Sequence, residues 1–280
     1  MDLTPVEKRG DYYFKRDDLY QPFDFSPVNG SKLRQCQLLI KKNIDIAKNG
    51  VITGTSVLSP QAAIVSACAK EMNIPCHVLY GGTTFESLSK KKYPAHCLEL
   101  GARIEIVSKS GFTSVLTSKS TQMAEENNWF QVRYGMDLIE NMDVFLESVA
   151  EQVQNIPDNL DNLVITVGSS ITLLGVLVGI SKYGKKVGNL YGIGCAPNRM
   201  DKIHHYSSAI HEETGLILPM DIIKYVDAFN EQKGFKYENT MKESYEGITF
   251  HPRYEAKTFH WLKQQHLAGA TLMWITGHDF

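Results

Sequence analysis

Short apolar strands alternate with helical runs along most of the chain, and no other feature restricts its fold as much. Tyr12-Tyr13-Phe14 reads as a strand running into the charged turn Lys15-Arg16-Asp17-Asp18-Leu19. Val51 to Gly54 is a second strand. Pro60 then opens a helix that Ala62, Ala63, Val65, Ala67 and Ala69 carry to Asn73, since proline fits the first helical position and alanine is the strongest helix former. The strand Cys76 to Tyr80 is ended by Gly81-Gly82 and followed by a helix through Leu98-Glu99-Leu100, closed by Gly101. Arg103 to Val107 leads to a helix from about Thr113 to Asn127, and Trp129 to Tyr134 reads as a fourth strand of this series. A helix from about Leu138 to Val153 precedes a second series. It comprises the strand Leu163 to Val167, the helix Leu173 to Tyr183, the strand Leu190 to Cys195 and a helix from about Arg199 to Thr214. The last elements are a helix from about Tyr254 to His266 and the strand Ala270 to Ile275. Alternation of this kind predicts an α/β protein with mainly parallel sheets flanked by helices. With 280 residues there is room for two such domains, and Pro157-Asp158-Asn159 is the expected crossing between them.

The bulk composition narrows the function classes. A net charge of -2 gives no general affinity for nucleic acid or an acidic membrane surface. Lysines cluster at Lys90-Lys91-Lys92 and at Lys182, Lys185 and Lys186, which read as solvated faces. The stretch Leu163 to Ile180 approaches membrane-spanning length, but Gly168, Ser169, Ser170 and Thr172 interrupt it, so a strand, a turn and a helix explain it better. Cys36, Cys68, Cys76, Cys97 and Cys195 are odd in number and show no metal-ligand spacing, which predicts a reducing compartment and no metal. Met1-Asp2-Leu3-Thr4 lacks the basic and apolar regions of a signal peptide. A cytoplasmic protein without membrane contact is expected.

Five places carry residue types suited to chemistry. In Val28-Asn29-Gly30-Ser31-Lys32-Leu33-Arg34 a turn places Lys32 in the first turn of a helix, where the dipole disfavours a cation and so favours a nucleophilic amine, although the segment alone reads more readily as carrying a solvated surface lysine. Gly168-Ser169-Ser170-Ile171-Thr172 joins an apolar strand to an apolar helix, and free N–H groups beside hydroxyls make an anion site there. No Walker lysine and no dinucleotide fingerprint accompany it, which suggests a cofactor with one phosphate. Ser59, before Pro60-Gln61, either caps its helix or handles a carboxylate or proton. In His251-Pro252-Arg253-Tyr254-Glu255-Ala256-Lys257, Glu255 suits a helix start and Tyr254 reads equally as packing or acid–base group. Thr276-Gly277-His278 follows the last strand, with His278 read as solvated.

Taken together, these segments resemble the fold type II pyridoxal-phosphate enzymes, in particular the 1-aminocyclopropane-1-carboxylate deaminase and D-cysteine desulfhydrase family. Lys15-Arg16-Asp17-Asp18-Leu19 looks like the family's Lys-Arg-Glu/Asp-Asp, and Asn29-Gly30-Ser31-Lys32-Leu33-Arg34 is similar to its Gly-Gly-Asn-Lys-x-Arg. Ser59-Pro60-Gln61 falls on its Ser-Asn-His/Gln, Gly168 to Thr172 on its phosphate loop, Pro252 to Lys257 on its Pro-Val-Tyr-x-x-Lys, and Thr276-Gly277 on its C-terminal Thr-Gly. The resemblance spans nearly the whole chain. It implies a tryptophan-synthase-β-like fold, with residues 1–40 and 145–280 as the large cofactor-binding domain and 41–144 as the small one.

It further implies pyridoxal 5'-phosphate as cofactor, held by Lys32 as an imine, by Gly168, Ser169, Ser170, Ile171 and Thr172 at the phosphate, and by Glu255 and Thr276. Glu255 would face the pyridine nitrogen, as the carboxylate of the deaminase branch does. Lys32, Ser59 and Tyr254 would be the catalytic residues. The sequence departs from the pattern at Pro60, which replaces an asparagine, before Arg133-Tyr134-Gly135, where a glycine-rich run is missing, and between Gly234 and Gly247, which is short. The expected activity is deamination or lyase chemistry on an amino acid or related amine through a carbanion. Two alternatives stay open: an amino-acyl group on a larger molecule such as a modified DNA base, and a non-catalytic binding protein on the same fold. A homodimer is expected.

Overall fold

The computed structural model describes residues 2–136 and 141–280. In chain order the strands are β1 (Val6–Arg9), β2 (Tyr12–Arg16), β3 (Val51–Gly54), β4 (Cys76–Gly81), β5 (Arg103–Ser108), β6 (Phe130–Gln131), β7 (Asn159–Val167), β8 (Lys186–Gly194), β9 (Ile223–Val226), β10 (Ser244–Tyr245), β11 (Ile248–Thr249) and β12 (Thr271–Ile275). The α-helices are α1 (Ser31–Lys42), α2 (Ile44–Ala47), α3 (Gln61–Glu71), α4 (Phe85–Ser89), α5 (Lys92–Glu99), α6 (Thr113–Asn127), α7 (Met142–Ser148), α8 (Ile171–Tyr183), α9 (Met200–Thr214), α10 (Ala228–Glu231) and α11 (Glu255–Gln264).

The chain forms two compact units, one of Met1–Tyr20, Asn29–Ser31 and Leu138–Phe280, the other of Gln21–Val28 and Lys32–Asp137. The first holds a six-stranded sheet in the order β1-β2-β12-β7-β8-β9, parallel except for the β1–β2 pair, and the hairpin β10-β11. Phe14, Val164, Ile193, Phe250, Phe259 and Met273 form the core between this sheet and α11. The second unit is a four-stranded parallel sheet, β5-β4-β3-β6, in which Ile52 and Leu79 pack against Ala124 of α6. An α/β architecture of parallel sheets flanked by helices is thus present in both units.

Several boundaries differ from the sequence reading. Residues 21–28 and 32–40, expected with the large domain, fall in the second unit. There Lys70 lies 5.3 Å from the Phe25 ring, Ser26 bonds His96, and the inner face of α1 (Leu33, Cys36, Leu39, Ile40) is buried. Pro157-Asp158-Asn159 is no crossing between units; it lies within the first and feeds directly into β7. The strand expected over Trp129 to Tyr134 shrinks to Phe130–Gln131, because a turn begins at Arg133. The helix expected from about Leu138 begins outside the described residues, and its remainder is α7 followed by a 3-10 turn over Ala150–Asn155.

Lys15, Asp17 and Asp18 of the charged turn are buried, with Arg16 partly so. Lys15 Nζ donates to Thr4 O and Asn155 Oδ1, both at 2.7 Å, and Asp17 accepts from the Thr4 hydroxyl and the Trp274 indole. The stretch Leu163 to Ile180 is the end of β7, a turn and most of α8, and no helix among the described residues is long and apolar enough to cross a membrane.

Candidate active site

In open α/β sheets ligands bind outside the carboxyl ends of the strands, where the strand order reverses. In the first unit that point lies between β7 and β12. Gly168 and Ser169 leave β7, and Ser170, at φ +75°, turns the chain into α8. The first N–H groups of α8 have no partner within the helix and carry the positive end of its dipole. Arg199 Nε donates to Gly168 O at 3.2 Å and steadies the turn, while the buried Ser170 hydroxyl has no hydrogen-bond partner.

Beside this turn in the sheet order comes the exit of β12, at Thr276. Glu255, first residue of α11, is 1 % exposed; its Oε1 accepts from the Thr276 N–H at 3.0 Å and from the Thr276 hydroxyl. Its Oε2 is buried and has no partner. Burial pushes the Glu255 carboxyl up from 4.5 to about 7, against the lowering effect of the Thr276 donors. Gly30 lies so close to this exit, at φ +94°, that a Cβ there would stand 2.3 Å from Thr276 O. Ser31 N donates to Thr276 O at 2.8 Å, and Asn29 Oδ1 accepts from the backbone N–H of His278 at the same distance. His278, read as solvated, is half-buried, and this contact ties it to the turn that precedes Lys32.

Tyr254 shares a hydrogen bond of 2.8 Å with the hydroxyl of Tyr237, and its ring packs on His251 with centroids 4.7 Å apart. Sequence reasoning missed Tyr237, an isolated aromatic between two charged residues. Its loop is placed by Lys257, which is fully buried and donates to the carbonyls of Phe235 and Lys236 at 3.3 and 2.7 Å.

In the second unit the strand order reverses between β3 and β6. Lys32, second residue of α1, is half-buried, and its Nζ donates to Gly135 O beyond β6 at 3.3 Å. Ser59, beyond β3, is buried and its hydroxyl accepts from Gln61 N at 3.3 Å. Pro60 occupies the N-cap of α3 and offers no side-chain donor. Gln35, one turn past Lys32, was also missed: it is fully buried and both polar atoms of its carboxamide have no partner.

A buried polar atom without a partner costs about 1–3 kcal/mol, so Glu255 Oε2, the Ser170 hydroxyl and the Gln35 carboxamide mark places made for a bound group. An orphan carboxyl oxygen suits a ring N–H, and a hydroxyl at a helix start suits a phosphate, so the residues present fit pyridoxal phosphate. Among the described residues no group of histidine, cysteine, aspartate and glutamate could hold a metal ion. All five cysteines are free and buried, and burial pushes the Cys195 thiol up to about 12. Lys90, Lys182 and Lys185 of the two lysine clusters pair with Glu86, Glu151 and Asp158.

Two parallel-sheet units with chemistry-bearing loops at the carboxyl ends of their strands define an α/β enzyme of the pyridoxal-phosphate class. The chain belongs to the family described as "Pyridoxal-phosphate dependent enzyme", whose sequence profile matches residues 4–249. A curated relative, the O-seryl-dTMP PLP-dependent decarboxylase of Salmonella phage ViI, is 25% identical over 339 aligned positions, covering 95% of this chain and 77% of that protein. Among solved structures, an ACC deaminase homologue superposes with a TM-score of 0.80 at 20% identity, over 99% of this chain and 90% of its own. The processed form of threonine deaminase isoform 2 from Solanum lycopersicum gives 0.66 at 13% identity, over 99% and 84%. At these identities the two structures establish likeness of fold.

Proposed function

We propose that the protein is a pyridoxal-phosphate-dependent lyase that breaks a bond at Cα of an amino-acid unit. Glu255 carries this reading: its free, buried Oε2 is an acceptor for the N–H of a pyridine ring. When bound, the cofactor supplies a sink for the electron pair left at Cα. Lys32 would hold the cofactor's aldehyde carbon, Gly168 to Thr172 its phosphate, and Glu255, oriented by Thr276, its ring nitrogen. Ser59 would bind a substrate carboxylate or stand beside the reacting carbon. Tyr254, with Tyr237 beside it, would give or take the proton.

The amino acid can be free or carried on a nucleotide. The second form is favoured by one observation: the relative matching 95% of this chain is an O-seryl-dTMP decarboxylase. In that form the bond broken is the one to the α-carboxylate. The test is to incubate the cofactor-loaded protein with a thymidine nucleotide that carries serine through its side-chain oxygen, its amine and carboxylate free, and, separately, with free amino acids, and to follow both by mass spectrometry. Loss of carbon dioxide from the nucleotide-borne serine is the expected result. Turnover of free amino acids alone would return the reading to a deaminase or lyase of small amines, and a protein that stays colourless with added cofactor would end both.

A further inference from the structure

We infer that Gln61 is a positioning residue for Lys32, acting through the carbonyl of Gly135. The inference rests on the role proposed for Lys32 and extends it to a side chain with no assigned part.

Gln61 is the first residue of α3 and is buried. Its Nε2 donates to Thr53 Oγ1 and to Arg133 O, both at 3.0 Å, and its Oε1 accepts from Gly135 N at 2.8 Å. One carboxamide therefore uses both donors and an acceptor, and two of these three bonds go to the turn that follows β6. The turn needs them. Gly135 and Met136 lie in succession at φ +73° and +55°, a conformation that costs a residue with a Cβ about 1–2 kcal/mol and that a glycine leaves by free rotation.

Both peptide planes that flank Gly135 are anchored. The plane before it is held by its N–H on Gln61 Oε1. The plane after it is held by Met136 N, which donates at 3.0 Å to Arg133 O, the same oxygen that Gln61 Nε2 engages. That second plane carries Gly135 O, the acceptor of Lys32 Nζ. Fixing the two planes fixes the direction of the carbonyl, which is one of the groups that hold the amine. Without the carboxamide the glycine turns and the amine loses this acceptor.

The test uses cofactor-free protein, with covalent capture of pyridoxal phosphate followed by visible absorbance and the modified lysine located by borohydride reduction and peptide mass mapping. Binding of pyridoxamine phosphate, which has no aldehyde and forms no bond to lysine, is measured alongside. A misplacement of about 1 Å costs up to about 100-fold in rate. Gln61→Met is therefore expected to slow capture by roughly 10- to 100-fold while pyridoxamine phosphate binds as it does to the wild type. Thr53→Ser keeps the hydroxyl that accepts from Gln61 Nε2 and donates to Val132 O at 2.9 Å, so its capture rate should match wild type. Wild-type capture by Gln61→Met, or equal weakening of both ligands, would overturn the inference. Reduction that marks another lysine in the wild type would instead overturn the role of Lys32 itself.

Discussion

Thr276 donates its backbone N–H, at 3.0 Å, and its hydroxyl to the same oxygen of Glu255, Oε1, and leaves Oε2 of that carboxyl unpartnered and sealed from water. The exit of β12 thus saturates one oxygen and reserves the other. An amide cannot serve the same purpose, because it turns either an N–H or a neutral oxygen toward a ring nitrogen. Glu255→Gln is expected to reduce turnover by about 10²- to 10⁴-fold, the range of a lost proton-handling group. Absorbance should show the cofactor still bound through Lys32. Full turnover in the variant would remove Glu255 from the reaction.

The same carboxyl predicts how stability depends on pH. Folding raises its pKa from 4.5 to about 7. Between those values the folded, cofactor-free chain holds a proton that the unfolded chain has released. The contribution is fully present below about pH 4.5 and is lost as pH rises through about 7, to an extent of roughly 3 kcal/mol. Thermal melts should show a falling midpoint across that window. Glu255→Gln, neutral throughout, should flatten the profile, and an unchanged slope would contradict the burial of the group.

Tyr254 and Tyr237 share one hydrogen bond, so either phenol stabilises charge on the other. Tyr254→Phe is expected to lower kcat by about 10²-fold or more with KM little changed, the pattern of a group that acts only in the transition state. Tyr237→Phe should have a smaller effect in the same direction. Equal loss from both, with KM raised, would make the pair a packing element.

Close packing also makes a prediction away from the chemistry. A Cβ on Gly175 would stand 2.4 Å from Val149 Cβ, and one on Gly179 equally near Val153 Cγ2. Both glycines lie on α8, whose first turn belongs to the proposed phosphate site. Gly179→Ala gains helix propensity but overpacks the contact, for a net loss of about 1–3 kcal/mol. Urea unfolding of cofactor-free protein measures it, and a stabilised variant would show that the helix can shift.

The alternation of periods, two for strands and 3.6 for helices, made the parallel sheets legible, and with them the turns at their carboxyl ends where Ser59, Gly168 to Ser170 and Thr276 sit, while Lys32 lies in the first turn of α1. What stayed hidden depends on tertiary partners. Nothing local marks Tyr237 or Gln35, and the motif match at Ser59-Pro60-Gln61 gives Gln61 no role, because their importance comes from what faces them. β9 is four residues with a lysine inside, too short for a period to show. The hairpin β10-β11 turns on Glu246-Gly247, both at positive φ, a weaker signal than Asn-Gly.

The charged run at 15–18 shows this dependence most directly, because a charged turn names no partners of its own, yet Lys15 and Asp17 are fully buried. Asp17 accepts from the Thr4 hydroxyl at 2.6 Å and from Trp274 Nε1 at 3.0 Å, while the Trp274 ring lies 5.8 Å from Lys15 Nζ. A single indole therefore seals β2 against β12 and serves the carboxyl at the same time. Trp274→Phe keeps an aromatic face for the lysine but removes the N–H and leaves a small void. A hydrogen bond to a charged group is worth about 1.5–3 kcal/mol, and the void adds to it. The variant should lose about 2–4 kcal/mol in urea unfolding, with an unchanged slope. A midpoint equal to wild type would mean that water reaches Asp17 and that this corner of the sheet is open.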